Sequence, residues 1–117
     1  MKFNIQAKQL HALASSVSRI INSKNALSIL NNFKIELEGE RLTLYASDGE
    51  NFLSGSTTVT EATGEGSACI DAKRLVDTLK DLPDVGITFN IEPEANWNVT
   101  VTYPNGEFNF MAFDGAE

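Results

Sequence analysis

Histidine occurs once in the sequence, at His11, and cysteine once, at Cys69. A lone cysteine closes no internal disulfide, so nothing here depends on an oxidising compartment. No cluster of cysteine and histidine exists to hold zinc. No nucleophile, base and orienting group can be assembled from so few candidates, which argues against an enzyme active site. Long apolar runs are missing too. None approaches the roughly 20 residues of a membrane helix, and Met1-Lys2-Phe3-Asn4 does not lead into a signal-peptide stretch. A cytoplasmic protein with no membrane contact and no cofactor is the expectation. What is present, 42% hydrophobic and 21% charged residues over 117 positions, is the make-up of one globular domain with a single core.

Acidic residues are absent from positions 1–35, which hold Lys2, Lys8, Arg19, Lys24 and Lys34. The other four bases and all sixteen acids follow, for a net charge of −7. An acidic protein with one locally basic region can hold a polyanion there while the rest of its surface repels it. Acidity for solubility explains the total equally well.

The chain also repeats itself. Ile5-Gln6-Ala7-Lys8-Gln9-Leu10 returns as Ile70-Asp71-Ala72-Lys73-Arg74-Leu75, four identities in six at an offset of 65. Each copy sits where a short apolar strand passes into a helical pattern, and strand alternation follows each. The repeat divides the domain into units of about 1–62 and 63–117.

In the first unit, Phe3 and Ile5 share one face of a strand over 2–6. Leu10, Leu13, Ala14, Val17 and Ile21 then take helical spacing over about 7–22. Phe33, Ile35 and Leu37 alternate with polar residues, as do Leu42, Leu44 and Ala46, and a third strand rich in Ser and Thr is expected over 51–60. In the second unit a strand over 67–70 precedes a helix with Asp71 as its N-cap, carrying Leu75, Leu79 and Leu82 and stopped by Pro83. Ile87, Phe89 and Ile91 alternate next, then Trp97, Val99, Val101 and Tyr103. Pro104-Asn105-Gly106 marks a hairpin into a last strand over 107–113. The expected fold is α+β, two βαβββ units with two helices packed on antiparallel sheet.

Candidate chemistry is thin. His11 alone on a helix reads as a surface or packing residue. Gly64-Glu65-Gly66 lacks the Lys-Ser/Thr ending of a phosphate loop and reads as a turn. Asp48 and Glu50 flank Gly49 and could reach a cation together, but acids in turns usually serve the turn. The first helix offers more. At about 100° per residue Lys8, Ala12, Ser15 and Arg19 share a narrow sector opposite the apolar stripe. This sector carries two bases and no acid, and runs into Asn22-Ser23-Lys24-Asn25. Such a face suits a phosphate backbone, which requires charge but no base-reading geometry. It would equally serve as a solvated helix face.

Several segments together resemble a known family. Met1-Lys2-Phe3, Ser23-Lys24-Asn25-Ala26-Leu27-Ser28-Ile29-Leu30, Leu42-Thr43-Leu44 with Ser47-Asp48-Gly49-Glu50, and Ile70-Asp71-Ala72-Lys73-Arg74-Leu75 are similar to the amino-terminal domain of the bacterial DNA polymerase III beta subunits, the sliding clamps. The resemblance runs in register from Met1 to about Phe113. It implies a DNA-clamp domain, the first of three in a longer chain, ending where the link to the second begins. It further implies a head-to-tail dimer around double-stranded DNA, helices lining the hole, sheets outside, and no catalysis by the clamp itself. The replicative polymerase and the clamp loader would bind through later domains, where the peptide-binding groove mainly lies.

The resemblance also assigns residues. Lys24, in the loop after the first helix, and Lys73, at the start of the second, match basic positions near the DNA, and Lys8 and Arg19 join them on the helix face. Arg74 and the strand bearing Glu107, Phe108 and Phe110 match the edge that meets the third domain of a second clamp chain. Ser28 stands where the family usually has proline, so the loop is expected to be less rigid. Asp77 and Asp81 dilute the charge of the second helix and weaken the case for Lys80. The alternative from a different class is an acidic α+β module that binds proteins or small ligands.

Overall fold

The computed structural model describes residues 1–20, 32–47 and 52–114. β1 (Lys2–Gln6) runs straight into α1 (Ala7–Val17), and a 3₁₀ turn, Ser18–Ile20, follows. β2 (Asn32–Glu38), β3 (Arg41–Ser47), β4 (Phe52–Thr58) and β5 (Thr60–Thr63) complete the first unit. β6 (Gly66–Asp71), α2 (Ala72–Lys80), β7 (Gly86–Glu92), β8 (Asn98–Tyr103), β9 (Gly106–Met111) and β10 (Phe113–Asp114) form the second, with a 3₁₀ turn at Pro93–Ala95.

These strands make two antiparallel sheets, ordered β5-β1-β7-β8-β9 and β10-β6-β2-β3-β4. The second order is the first with the two units exchanged. Each sheet therefore takes its three consecutive strands from one unit and the remaining two from the other. The register repeats as well: Ile5 faces Ile87 and Phe3 faces Phe89 in one sheet, while Ile70 faces Phe33 and Ala68 faces Ile35 in the other. The duplication read at an offset of 65 is thus a pseudo-two-fold axis, with the units interlocked across it.

The α+β fold of two helices on antiparallel sheet is as expected, with one refinement. Each expected third strand is two strands in two different sheets. The extended run breaks at Val59 and at Ala112, both buried. The Val59 N–H donates to the Glu40 carbonyl at 2.8 Å and the Ala112 N–H to the Trp97 carbonyl at 2.9 Å. At these two equivalent points the chain leaves one sheet for the other. Both halves remain extended, so a period-2 pattern carries no mark of the crossing.

Alternation puts Phe33, Ile35, Leu37, Ile87, Phe89 and Ile91 into one continuous core with Phe3, Leu10 and Leu75. The helices pack against each other, α1 also on β3 and β4, and α2 on β2 and β6. Gly55 on β4 permits the close approach of α1. A Cβ there would stand 2.8 Å from Leu13 Cδ1 and 3.3 Å from Val17 Cγ2. The α-helical part of α1 stops at Val17, short of the expected 22, and Asn22 lies outside the described residues. Ser18 explains the early tightening, because its hydroxyl donates to the Ser15 carbonyl at 3.0 Å and competes with the helical ladder. α2 begins as expected: the Asp71 carboxylate accepts the Arg74 N–H at 2.9 Å. It ends at Lys80, so Leu82 lies beyond it, half-buried beside Pro83.

Candidate functional site

The two helices present one face to solvent. On α1, Lys8, Ala12 and Arg19 are exposed and Ser15 is half-buried, as the spacing predicts. His11 is half-buried with its Nε2 3.4 Å from the Ser15 hydroxyl, a contact within its own helix. On α2, Lys73, Arg74 and Lys80 are exposed. Asp77 is exposed among them, diluting the charge as expected. Lys24 and the whole 22–30 loop lie outside the described residues, as do Asp48 and Glu50.

Lys8 and Lys73 are equivalent under the internal repeat, and each is the second residue of its helix. Neither helix has an acid in its first turn. The positive end of a helix favours carboxylates, and a cation there costs about 0.3–1 kcal/mol. Both helices nonetheless carry lysine at this position. Asp77 on α2 and Asp71 and Asp81 at its two ends are the exceptions, and most of the described acids lie elsewhere. Glu36, Glu38, Glu40, Glu61, Glu65, Glu92, Glu94 and Glu107 all sit on strands or the turns between them, half-buried or exposed. On the outward positions of β2 they alternate with the core residues Ile35 and Leu37. Charge is therefore sorted by layer, with bases prevailing on the helices and acids on the sheets.

The second feature is the free sheet edges. Two of the four outer strands are short: β10 has two residues and β5 four, with an irregular register against β1. The other two, β4 and β9, are long. β9 is thus an edge strand, but Phe108 and Phe110 do not stand open on it. Phe110 is 6% exposed, edge-on to Phe89 at 6.4 Å, with the Arg74 guanidinium carbon 5.8 Å above its ring. Phe108 is half-buried and stacks on Tyr103 at 5.5 Å. The open apolar surface comes from Met111 and Phe113, each 54% exposed. With Arg74, Asn98, Asn109 and Phe110 they line a groove of about 660 Å³ where the two sheets part. Glu107 is exposed at the start of the same strand. On β4, Phe52 is 82% and Leu53 37% exposed. Sequence patterning gave no sign of these two. The available signal was the run from Phe52 to Thr60, which has no charge and no proline.

Among the described residues, no three His, Cys, Asp or Glu side chains converge where they could hold a metal ion. No described helix is long and apolar enough to cross a membrane. All 117 residues match the family described as the DNA polymerase III beta subunit, N-terminal domain. The chain belongs to that family. Among its relatives is a beta sliding clamp of Streptococcus pneumoniae, 30% identical over 98% of this chain and 32% of its own length. A beta sliding clamp of Pseudomonas aeruginosa is 30% identical over 80% of this chain and 26% of its own length. The crystal structure of the DNA polymerase III subunit beta from Pseudomonas aeruginosa superposes with a TM-score of 0.90 at 26% identity, over 100% of this chain and 31% of that one. The beta subunit from the DNA polymerase of Streptococcus pyogenes shares the fold, with a TM-score of 0.92 at 24% identity over 31% of its chain. The present chain thus spans at most about a third of the length of these clamp subunits.

Proposed function

We propose that this chain serves as one domain of a DNA sliding clamp, a processivity factor that encircles duplex DNA and tethers the replicative polymerase. The observation that carries the reading is the pair Lys8 and Lys73. Both are exposed, both are repeat-equivalent, and both oppose the preference of their helix end, on the layer facing away from the acidic sheets. With Arg19 they form a set of cations that hold phosphate without reading bases, and the family resemblance adds Lys24, which lies outside the described residues. Sliding needs contacts exchanged at little cost, which phosphate contacts permit. No catalytic step is assigned to the chain; it works in the cytoplasm as a non-catalytic subunit of the polymerase.

Arg74, Glu107 and β9 form the edge that meets a second clamp chain, head to tail. In this reading the exposed Met111 and Phe113 supply the apolar contact, Phe108 a partial one, and Phe110 supports them from inside. The uncharged edge of β4 is where the sheet continues into the rest of the longer protein. Polymerase and clamp loader engage later domains. In the full-length ring, Lys8→Ala, Lys24→Ala and Lys73→Ala should each lower the salt slope of DNA binding by about one unit, equally for all sequences. An unchanged slope for all three in a salt titration would overturn the DNA face.

A further inference from the structure

The interlocked units share a property the clamp reading does not require. Each unit offers the other a whole set of complementary surfaces. β1 pairs with β7 over five residues and β2 with β6 over six, and α1 packs on α2. One short connection links the units. It leaves the first sheet at Thr63, opposite Lys2, and enters the second at Gly66, opposite Leu37. Gly64 there has φ +77° and Gly66 φ +152°, and Glu61 just before them has φ +51° without being glycine. The Glu65 carboxylate accepts the Gly39 N–H at 3.1 Å and Gly66 pairs with Leu37, but every other β1–β7 and β2–β6 pair lies outside the connecting residues.

We propose that the surface each unit presents to the other is a docking site for the same unit of a second copy of this chain, reached by unit exchange about residues 63–66. When the connection opens from a turn into extended chain, the first unit of one copy meets the second unit of another. Every β1–β7, β2–β6 and α1–α2 contact is then remade between chains. A turn that depends on glycines at positive φ is the sensitive point, since short hinges under strain favour exchange. The closed monomer is retained by the higher effective concentration of a tethered unit.

The test converts the hinge and then reports which units meet. Gly64→Val together with Gly66→Val places β-branched residues where positive φ is disfavoured and extended backbone preferred. After refolding at high protein concentration, light scattering on a sizing column should show dimer rising severalfold over the unaltered chain. A well-folded variant that stays monomeric overturns the proposal. The second arm uses two copies that both carry this hinge. One has Ile35→Asp with Leu37→Asp in the first unit; the other has Phe89→Asp with Ile91→Asp in the second. All four positions are at most 2% exposed, so neither copy should fold alone. Refolded together, they should regain about half the native circular dichroism signal, because one of the two exchanged lobes contains only intact units. No regain, or dimers that form equally with a single copy type, would overturn the exchange.

Discussion

Lys8 and Lys73 separate what stabilises the domain from what it is proposed to do. A lysine at the second helical position is unfavourable to the helix, so Lys8→Glu and Lys73→Glu should each raise the stability of the isolated chain by about 0.3–1 kcal/mol. The same changes should weaken DNA retention by the full ring more than the alanine variants do. Urea melts and a salt titration measure the two effects, and a loss of stability would show that these lysines are structural. Phe110 behaves in the opposite way. Being 6% exposed under Arg74, it is a core residue. Phe110→Ala should cost about 3–5 kcal/mol, and a polar Ser there at least as much. An interface variant therefore has to leave Phe110 intact. Met111→Ser, at an exposed site, should change the melting of the chain little and weaken the full-length dimer, read by sedimentation.

At the scale of elements, Gly55 makes possible the close packing of α1 on β4. Gly55→Val should cost about 1–3 kcal/mol, because the added atoms reach both Leu13 and the buried Val17. Gly55→Ala should cost less: its main contact is the free end of Leu13, a half-buried side chain that can turn aside. Thermal melts of the two variants check the order, and a neutral valine would refute the close approach. The entry to α2 rests on one side chain. Asp71→Ala should cost about 0.5–2 kcal/mol through loss of the bond to the Arg74 N–H. The corresponding position in α1 is Gln6, whose side chain makes no capping bond, so Gln6→Ala should be nearly silent.

For the whole molecule, interlocking predicts a single cooperative transition. Neither sheet belongs to one unit, so Leu44→Ala in the first and Val101→Ala in the second should each lower one common melting temperature. Two separable transitions by calorimetry would contradict the shared core. The sorting of charge between layers has its own consequence. Without enclosure of the duplex, a few phosphate contacts act against a net charge of −7. The 117-residue chain alone should therefore bind DNA no tighter than about 10⁻⁴ to 10⁻⁶ M at physiological salt. Fluorescence anisotropy tests this, and nanomolar binding by the isolated chain would mean the ring is not what retains DNA.

Local chemistry made much of this legible beforehand. Period-2 alternation located β2, β3, β7 and β8, because one face of each is buried in the core. Asp71 marked the start of α2, and Pro83 lay just past its end, through effects that act within a few residues. The helix face of Lys8, Ala12 and Arg19 followed from 3.6-residue geometry, and the repeat from identity at a fixed offset. Tertiary structure decided the rest. Which sheet a strand joins is set by long-range pairing, so the crossings at Val59 and Ala112 left no pattern in an extended run. The fate of Phe110 depended on a helix more than 30 positions earlier placing Arg74 above it. The openness of Phe52 and Met111 depended on which strands came to lie at sheet edges, and edge position is a property of the assembled sheet, with no local sequence rule to fix it.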